Sequence, residues 1–196
     1  MNLKDKILKR SFDIVVSLVG LFITFPIIGI AWIIAAIETK SNGFFLQERV
    51  GKDGKIFKII KIKTMKDIKG TTITTFNDFR ITRSGKFFRK YKIDELPQLI
   101  NILKGDMSFV GPRPDVPGYA DKLKGDDRII LSVRPGITGP ATLKYKNEEM
   151  ILAKVSDPVK YNNEVIWPDK VKINKEYVKN WSFKKDLEYI IQTIKP

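Results

Sequence analysis

The chain has 196 residues, 43% of them apolar, enough for a domain with its own core and too many for a disordered chain. Its 36 Lys+Arg against 22 Asp+Glu leave a formal charge of +14, which calls for an anionic partner: nucleic acid, an anionic membrane surface or phosphorylated substrates. Cysteine and histidine are absent, so disulfides, zinc sites and imidazole or thiolate chemistry are excluded; a metal must be a hard cation on oxygen ligands, and a covalent nucleophile a carboxylate, hydroxyl or amine.

The first element is apolar. Ile14 to Ile37 is a run of 24 residues without a charge, against the roughly 20 that cross a bilayer. It is too long for the core of a cleavable signal and ends in no small-residue cleavage site. Pro26 sits in its middle, where it removes a backbone donor. Both flanks are basic, with Lys4, Lys6, Lys9 and Arg10 before it and Lys40, Arg49, Lys52, Lys55 and Lys58 after it. The positive-inside bias therefore places both ends on one side, as in a helix that breaks at Pro26, dips into one leaflet and returns. An ordinary kinked span and a buried core helix remain as alternatives. Asp13, just outside the run, is placed to pair with Arg10 or Lys9.

Ser41-Asn42-Gly43 is a turn, and Asp53-Gly54 separates two strand-like runs, which predicts a β-hairpin with strands near 44–50 and 55–63. Most lysines of the second strand, Lys61 among them, read as a solvated face. Residues 66–80, punctuated by Gly70, read as a loop, and Arg83 to Tyr91 as a short basic, aromatic interfacial helix. Leu96, Leu99, Ile100 and Leu103 recur at helical spacing and Lys104-Gly105 ends that helix. Two proline-stiffened loops follow, each holding one arginine: Gly111-Pro112-Arg113-Pro114 and Arg134-Pro135-Gly136-Ile137-Thr138-Gly139-Pro140. Helical patterns return at 147–155, 169–180 and 183–194, the last with Leu187, Ile190, Ile191 and Ile194 on one face.

Asp94-Glu95 stands at the start of the helix around Leu99. Asp94 suits an N-cap or first-turn position, with Glu95 adding favourable charge. The basic surroundings are expected to depress the Asp94 pKa and keep it ionised. The same pair also supplies a carboxylate nucleophile, and two rigid arginines suit phosphate; with magnesium these are the parts of phosphoryl transfer.

An ordered series of motifs joins these pieces. Lys9-Arg10 and the proline-centred apolar run lead to Gln47-x-Arg49-x-Gly51 and Lys61-Ile62-Lys63-Thr64-Met65. Asp94-Glu95-Leu96-Pro97-Gln98-Leu99, Gly105-Asp106-Met107-Ser108-Phe109-Val110-Gly111-Pro112-Arg113-Pro114 and Val133-Arg134-Pro135-Gly136-Ile137-Thr138-Gly139 follow. Over nearly the whole chain the sequence resembles the bacterial sugar transferases, the monotopic phosphoglycosyl transferases. The resemblance implies an α+β fold, mostly helical, with a re-entrant membrane helix broken at Pro26 in residues 1–40. A catalytic domain in 41–196 would then carry a small β-hairpin sheet. It implies transfer of a sugar-1-phosphate from a UDP-sugar to undecaprenyl phosphate with release of UMP, on the cytoplasmic face of the bacterial inner membrane, beginning a glycoconjugate that downstream glycosyltransferases extend.

Carried over by motif, Asp94 would be the nucleophile and the Mg2+ ligand, Glu95 would orient or deprotonate, and Arg113 would contact phosphate. Lys61, Arg89 and Arg134 are further substrate-binding candidates, each equally readable as a surface or structural pair. Phe25 precedes Pro26 where relatives often carry serine, leaving Thr24 to bond back to a carbonyl. Lys146 stands where an arginine is common, a point charge in place of a planar fork. The competing reading is a membrane-tethered basic module for nucleic acid or anionic lipid, suggested by Phe87-Phe88-Arg89-Lys90. It gives the acidic pair and the arginine loops no task, so no nucleic-acid partner is expected.

Overall fold

A 37-residue helix, α1 (Leu3–Thr39), opens the chain in the computed structural model, which describes residues 2–68 and 78–195. Most of the expected loop, 69–77 with Gly70, lies outside the described residues. Asn2 and Asp5 close a reciprocal capping box at the start of α1, Asn2 Oδ1 accepting from the Asp5 amide at 2.8 Å. The helix then runs uninterrupted through Pro26, where the sequence suggested a break.

The reason lies in packing on both sides of the proline. Lys9, Asp13, Ser17, Ile28, Ala31 and Ala35 are all buried at helical spacing, so one stripe of α1 is held before and after the missing donor. The Thr24 hydroxyl donates to the Gly20 carbonyl at 2.7 Å, the back-bond expected of it. Phe22 and Phe25, by contrast, are 86% and 75% exposed at the midpoint.

The N-terminal half of α1 is fastened by polar side chains. The Lys9 ammonium pairs with the buried Asp186 carboxylate, which also accepts from Tyr177 Oη at 2.8 Å and Trp181 Nε1 at 3.0 Å. Arg10 donates to the carbonyls of Ile102 and Leu103 at 2.7 and 2.8 Å. Asp13 takes no hydrogen bond from Lys9 or Arg10, which act on it only as nearby charges; it accepts from Ser108 Oγ and the Phe109 amide, both at 3.1 Å.

Strands β1 (Phe44–Val50) and β2 (Ile56–Ile62) form the expected antiparallel hairpin, pairing Phe44 with Ile62 and Val50 with Ile56. Ile59 and Ile62 point into the core while Ile56 remains half exposed. Helix α2 (Arg83–Lys90) follows, then a 3-10 turn at Ile93–Glu95 and α3 (Gln98–Lys104), which ends at Gly105 in the left-handed region. The buried Asn101 side chain treats β2 as a neighbouring strand would, accepting from the Ile60 amide at 3.0 Å and donating to the Lys58 carbonyl at 2.8 Å. This amide, with Leu99 and Ile102 packed on Ile59 and Met107, fixes α3 against the hairpin.

The two arginine loops are less separate than their sequence suggests. Residues beside them pair as short parallel strands, β3 (Ser108–Val110) and β4 (Gly136–Thr138). A Cβ at Gly111 would strike the Arg134 carbonyl and one at Gly136 the Gly111 amide, so only glycine lets the backbones approach this closely. Helices α4 (Pro140–Lys144), α5 (Glu148–Leu152), α6 (Pro158–Tyr161), α7 (Trp167–Lys179) and α8 (Phe183–Ile194) complete the chain, with a π turn at Asn162–Ile166 leading into α7. In α8 the expected apolar face is split: Ile190 packs on Tyr177 and Val178, while Leu187, Ile191 and Ile194 stay exposed and Asp186 is buried.

The Lys9–Asp186 pair generates a stability prediction. Asp186→Ala strands a buried ammonium and two donors and is expected to destabilise by about 3–5 kcal/mol in thermal unfolding of the detergent-solubilised chain. Lys9→Met combined with Asp186→Leu should lose clearly less, and strictly additive effects would refute the coupling.

Candidate active site

The acidic pair is displayed by a sharp reversal between α2 and α3. Lys92 adopts a left-handed conformation (φ 56°), and the turn closes with Glu95 N to Lys92 O and Leu96 N to Ile93 O, both 3.2 Å. Pro97, already helical, occupies the N-cap position of α3, so Asp94 lies outside the helix it was expected to cap. Asp94 is 7% exposed and its Oδ1 is buried without a hydrogen-bond partner. A capping carboxylate accepts from backbone amides; this one is left available.

Glu95 is the reverse case. Its Oε1 accepts from Lys61 Nζ of β2 at 3.1 Å and from Arg113 Nη2 at 2.8 Å. Burial pushes the Glu95 carboxyl up, but Arg113 and Lys61 outweigh it and hold its pKa well below the ordinary value. Burial pulls the Lys61 ammonium down, opposed by Glu95, so this lysine does not lie on the solvated strand face first assigned to it. The Arg113 side chain keeps 43% of its surface exposed, leaving guanidinium donors for a ligand.

Asp94 does not behave as its basic surroundings suggested. Burial and the neighbouring Glu95 charge raise its pKa to about 6, against the opposing pull of Lys61, Lys92 and Arg89. Desolvation wins because Lys61, the first of those cations, is already engaged by Glu95.

The remaining candidates divide by place. Arg89 on α2 pairs with Glu149 of α5 at 3.0 Å, its Nη1 buried without a partner, and its charge reaches Asp94. Arg134 donates from Nε to the Gly105 carbonyl at 2.8 Å, so it braces the far end of α3 beside Arg10 rather than joining the acidic pair. Lys146 is exposed in the turn before α5. Pro26, Thr24, Lys9, Arg10 and Asp13 all belong to α1 and its attachment.

Several charged groups here went unselected from the sequence. Arg49 donates to the Pro114 carbonyl at 3.1 Å, supporting the loop that carries Arg113, although the Gln47-x-Arg49 motif had marked it. Asp115, next in that loop, has its pKa raised by burial to about 7 despite nearby Lys170 and Arg49. Lys170 pairs with Glu148 at 2.7 Å. Neighbouring acids of α5 thus bind Lys170 and Arg89, a pairing that no local spacing reveals.

Among the described residues no three Asp or Glu side chains gather into a metal-binding group. The unpartnered Asp94 oxygen fits a different mode, in which magnesium takes one or two carboxylates and fills its remaining positions with water and substrate phosphate. Chemically the site offers a buried, unpaired carboxylate beside a neutralised one, with a forked cation at its edge.

Residues 4–196 match the family model for bacterial sugar transferases. Among curated relatives, a Bacillus subtilis (strain 168) protein provisionally named undecaprenyl-phosphate N-acetylgalactosaminyl 1-phosphate transferase is 44% identical over 61% of this chain and 68% of its own. The undecaprenyl-phosphate galactose phosphotransferase of Salmonella typhimurium is 34% identical over 97% of this chain, which spans only 40% of that protein. The UDP-glucose:undecaprenyl-phosphate glucose-1-phosphate transferase of Klebsiella pneumoniae is 33% identical over 99% of this chain and 41% of its own. With a family model matched almost end to end, the chain belongs to the bacterial sugar transferase family.

Proposed function

We propose that the protein transfers a sugar-1-phosphate from a UDP-sugar to undecaprenyl phosphate through a covalent intermediate on Asp94. The observation that carries this reading is the buried Asp94 carboxylate with a free Oδ1 beside a Glu95 tied to Lys61 and Arg113. An Asp94 oxygen attacks the sugar-bearing phosphorus, the bond from that phosphorus to the bridging oxygen breaks, and UMP leaves with the electron pair. An oxygen of undecaprenyl phosphate then attacks the same phosphorus, displacing Asp94 and giving the undecaprenyl diphosphate sugar. Arg113 binds equatorial phosphate oxygens, and Glu95 holds Lys61 and Arg113 in place for both halves of the reaction. Magnesium bound by Asp94 and the diphosphate would neutralise charge on the leaving UMP.

Two features support a monotopic placement on the cytoplasmic face of the inner membrane. α1 is the one described helix long and apolar enough to cross a bilayer, yet both its ends attach to the same body. Lys9 and Arg10 hold the first half, and Glu38 accepts from the Ser84 amide at 3.2 Å at the other end while Ala35 sits in a core with Ile62 and Phe88. A hydrocarbon core of about 30 Å between the ends would forbid both attachments. The exposed midpoint around Phe22 and Phe25 then enters the leaflet, and the basic surplus attracts anionic headgroups and phosphorylated substrates. A single cysteine at residue 2 should react with membrane-impermeant reagent only after the cells are opened; labelling of intact cells would eliminate this placement.

UDP-sugar with magnesium and no lipid should label the protein covalently, and Asp94→Asn should abolish both labelling and UMP release; full turnover in that variant would refute the assignment. Because folding raises the Asp94 pKa, its charged form destabilises the native state, progressively so as pH rises from the ordinary 3.8 through about 6. Asp94→Asn is therefore expected to melt a few degrees above wild type near pH 8, with the gap closing in acid. The labelling rate of wild type should climb as pH rises through about 6 and level off above it, since only the carboxylate attacks. A flat profile between about pH 5 and 7 would mean that the attacking group titrates elsewhere.

A further inference from the structure

Beyond the charged cluster, the surface opens into a depression of about 490 Å3 bordered by Gly118, Tyr119, Lys122, Leu123, Asn163 and Trp167. That volume accommodates a nucleoside-sized group. Its floor is aromatic: the Tyr119 and Trp167 rings meet edge to face with centroids 5.4 Å apart. Trp167 is seated by contacts with a buried cluster that includes Val50, Ile130 and Val171, so its ring is a fixed surface. Nothing lies within 4 Å of where a Cβ would stand at Gly118, whose φ of 109° favours glycine, so the rim there is low and open.

The polar groups at this depression are donors. Tyr119 Oη donates to Asn163 Oδ1 at 2.9 Å, which occupies the amide oxygen and fixes the orientation of the side chain. The Asn163 amide nitrogen donates to no other described group, and Lys122 is exposed with no ion pair among the described residues. Asn163 lies in the π turn Asn162–Ile166, whose extra residue resets the face that α7 shows to the depression. An aromatic floor with one oriented amide donor and one cation suits a flat ring bearing carbonyl oxygens.

The depression lies a short length of chain from the loop that carries Arg113. Arg113 and Gly118 are five residues apart, so the chain between them spans at most about 18 Å. Trp167 and Lys170, three apart on α7, share a helix face, and Lys170 pairs with Glu148 and lies near Asp115. A ligand with phosphates at Arg113 would project its remaining half along this wall.

We propose that the depression between Tyr119 and Trp167 is the subsite for the uracil ring of the nucleotide sugar. The ring rests on Trp167, Asn163 donates to a ring carbonyl, and Lys122 faces the ribose-phosphate edge. This assignment rests on the donor being a UDP-sugar, as set out above. It makes Trp167 and Asn163 determinants of nucleotide choice, separate from the groups that handle the transferred phosphorus.

The test uses the full chain in detergent and equilibrium binding of UDP and of inorganic pyrophosphate, each with magnesium, by calorimetry. Trp167→Ala and Asn163→Asp are expected to weaken UDP about tenfold while pyrophosphate binding stays within twofold of wild type. Asn163 is exposed, so its variant retains the fold even if removal of Trp167 does not. UDP affinity within twofold of wild type in Asn163→Asp overturns the assignment, as does a change in discrimination among UDP-sugars with UDP binding unaltered, which would put the sugar here instead. Failure of wild type to bind UDP at all would remove the UDP-sugar reading itself, and this inference with it.

Discussion

Glu95 sits between Lys61 and Arg113, and the arrangement of the site follows from that double pairing. Three separate pieces of chain meet there: strand β2, the turn before α3 and the loop after β3. A buried carboxylate with two cationic partners stays charged, and a charged neighbour is one reason that Asp94 is reluctant to ionise. The same pairing engages Lys61 with Glu95, so Asp94 keeps a carboxylate oxygen without a partner instead of being locked in an ion pair. One acid is spent on structure to leave the other free.

The second constraint is the attachment of α1. A mostly exposed apolar helix on a basic protein could swing freely, yet here its buried stripe carries a lysine, an aspartate and a serine as well as small apolar residues. The two charged groups have partners on other elements, Asp186 on α8 for Lys9 and Ser108 with the Phe109 amide on β3 for Asp13, while Ser17 bonds back to the Ile14 carbonyl of its own helix. Such pairings are poor sources of net stability but strong determinants of register, because any slip strands a charge. The helix is therefore tied at a defined rotation, with Phe22 and Phe25 turned outward.

Much of this was legible in the sequence because it rests on local rules. The Asp53-Gly54 hairpin, the helix ending at Gly105 and the short helix after Thr82 all follow from turn chemistry, capping and periodicity. The acidic pair and Arg113 were recognised by their motifs, and the structure brings Arg113 within hydrogen-bonding distance of Glu95. What was not legible depends on distant chain. The cap assigned to Asp94 failed because left-handed Lys92 moves the turn one step ahead of the helix. The depressed Asp94 pKa failed because counting cations by sequence ignores which are already paired and how much water is lost. Pro26 looked like a break because a lone helix would break there, whereas this one is held on both sides. The parallel pairing of β3 with β4 has no signal in three-residue strands; the glycines that permit it looked like loop punctuation. Arg134 was grouped with Arg113 by its proline neighbours, but it turns to the Gly105 carbonyl.

Helix α3 is only seven residues long, and it is gripped at its far end by two guanidinium groups, Arg10 on the carbonyls of Ile102 and Leu103 and Arg134 on that of Gly105. Asp94 stands just beyond the opposite end. α3 nevertheless lies along α1, with Leu99 against Gly20. Ile93 and Leu96, on either side of the acidic pair, pack with Leu21 against the core that holds Ile28, so Asp94 stands directly beside the helix that is proposed to sit in the bilayer. On the proposed function, that attachment would set the height at which a lipid-linked phosphate meets Asp94, independently of which sugar is moved. A substrate whose phosphate rides higher or lower would miss Asp94 even with every chemical contact satisfied. On the proposed function, acceptors would thereby be selected by depth in the membrane as well as by the shape of their headgroup.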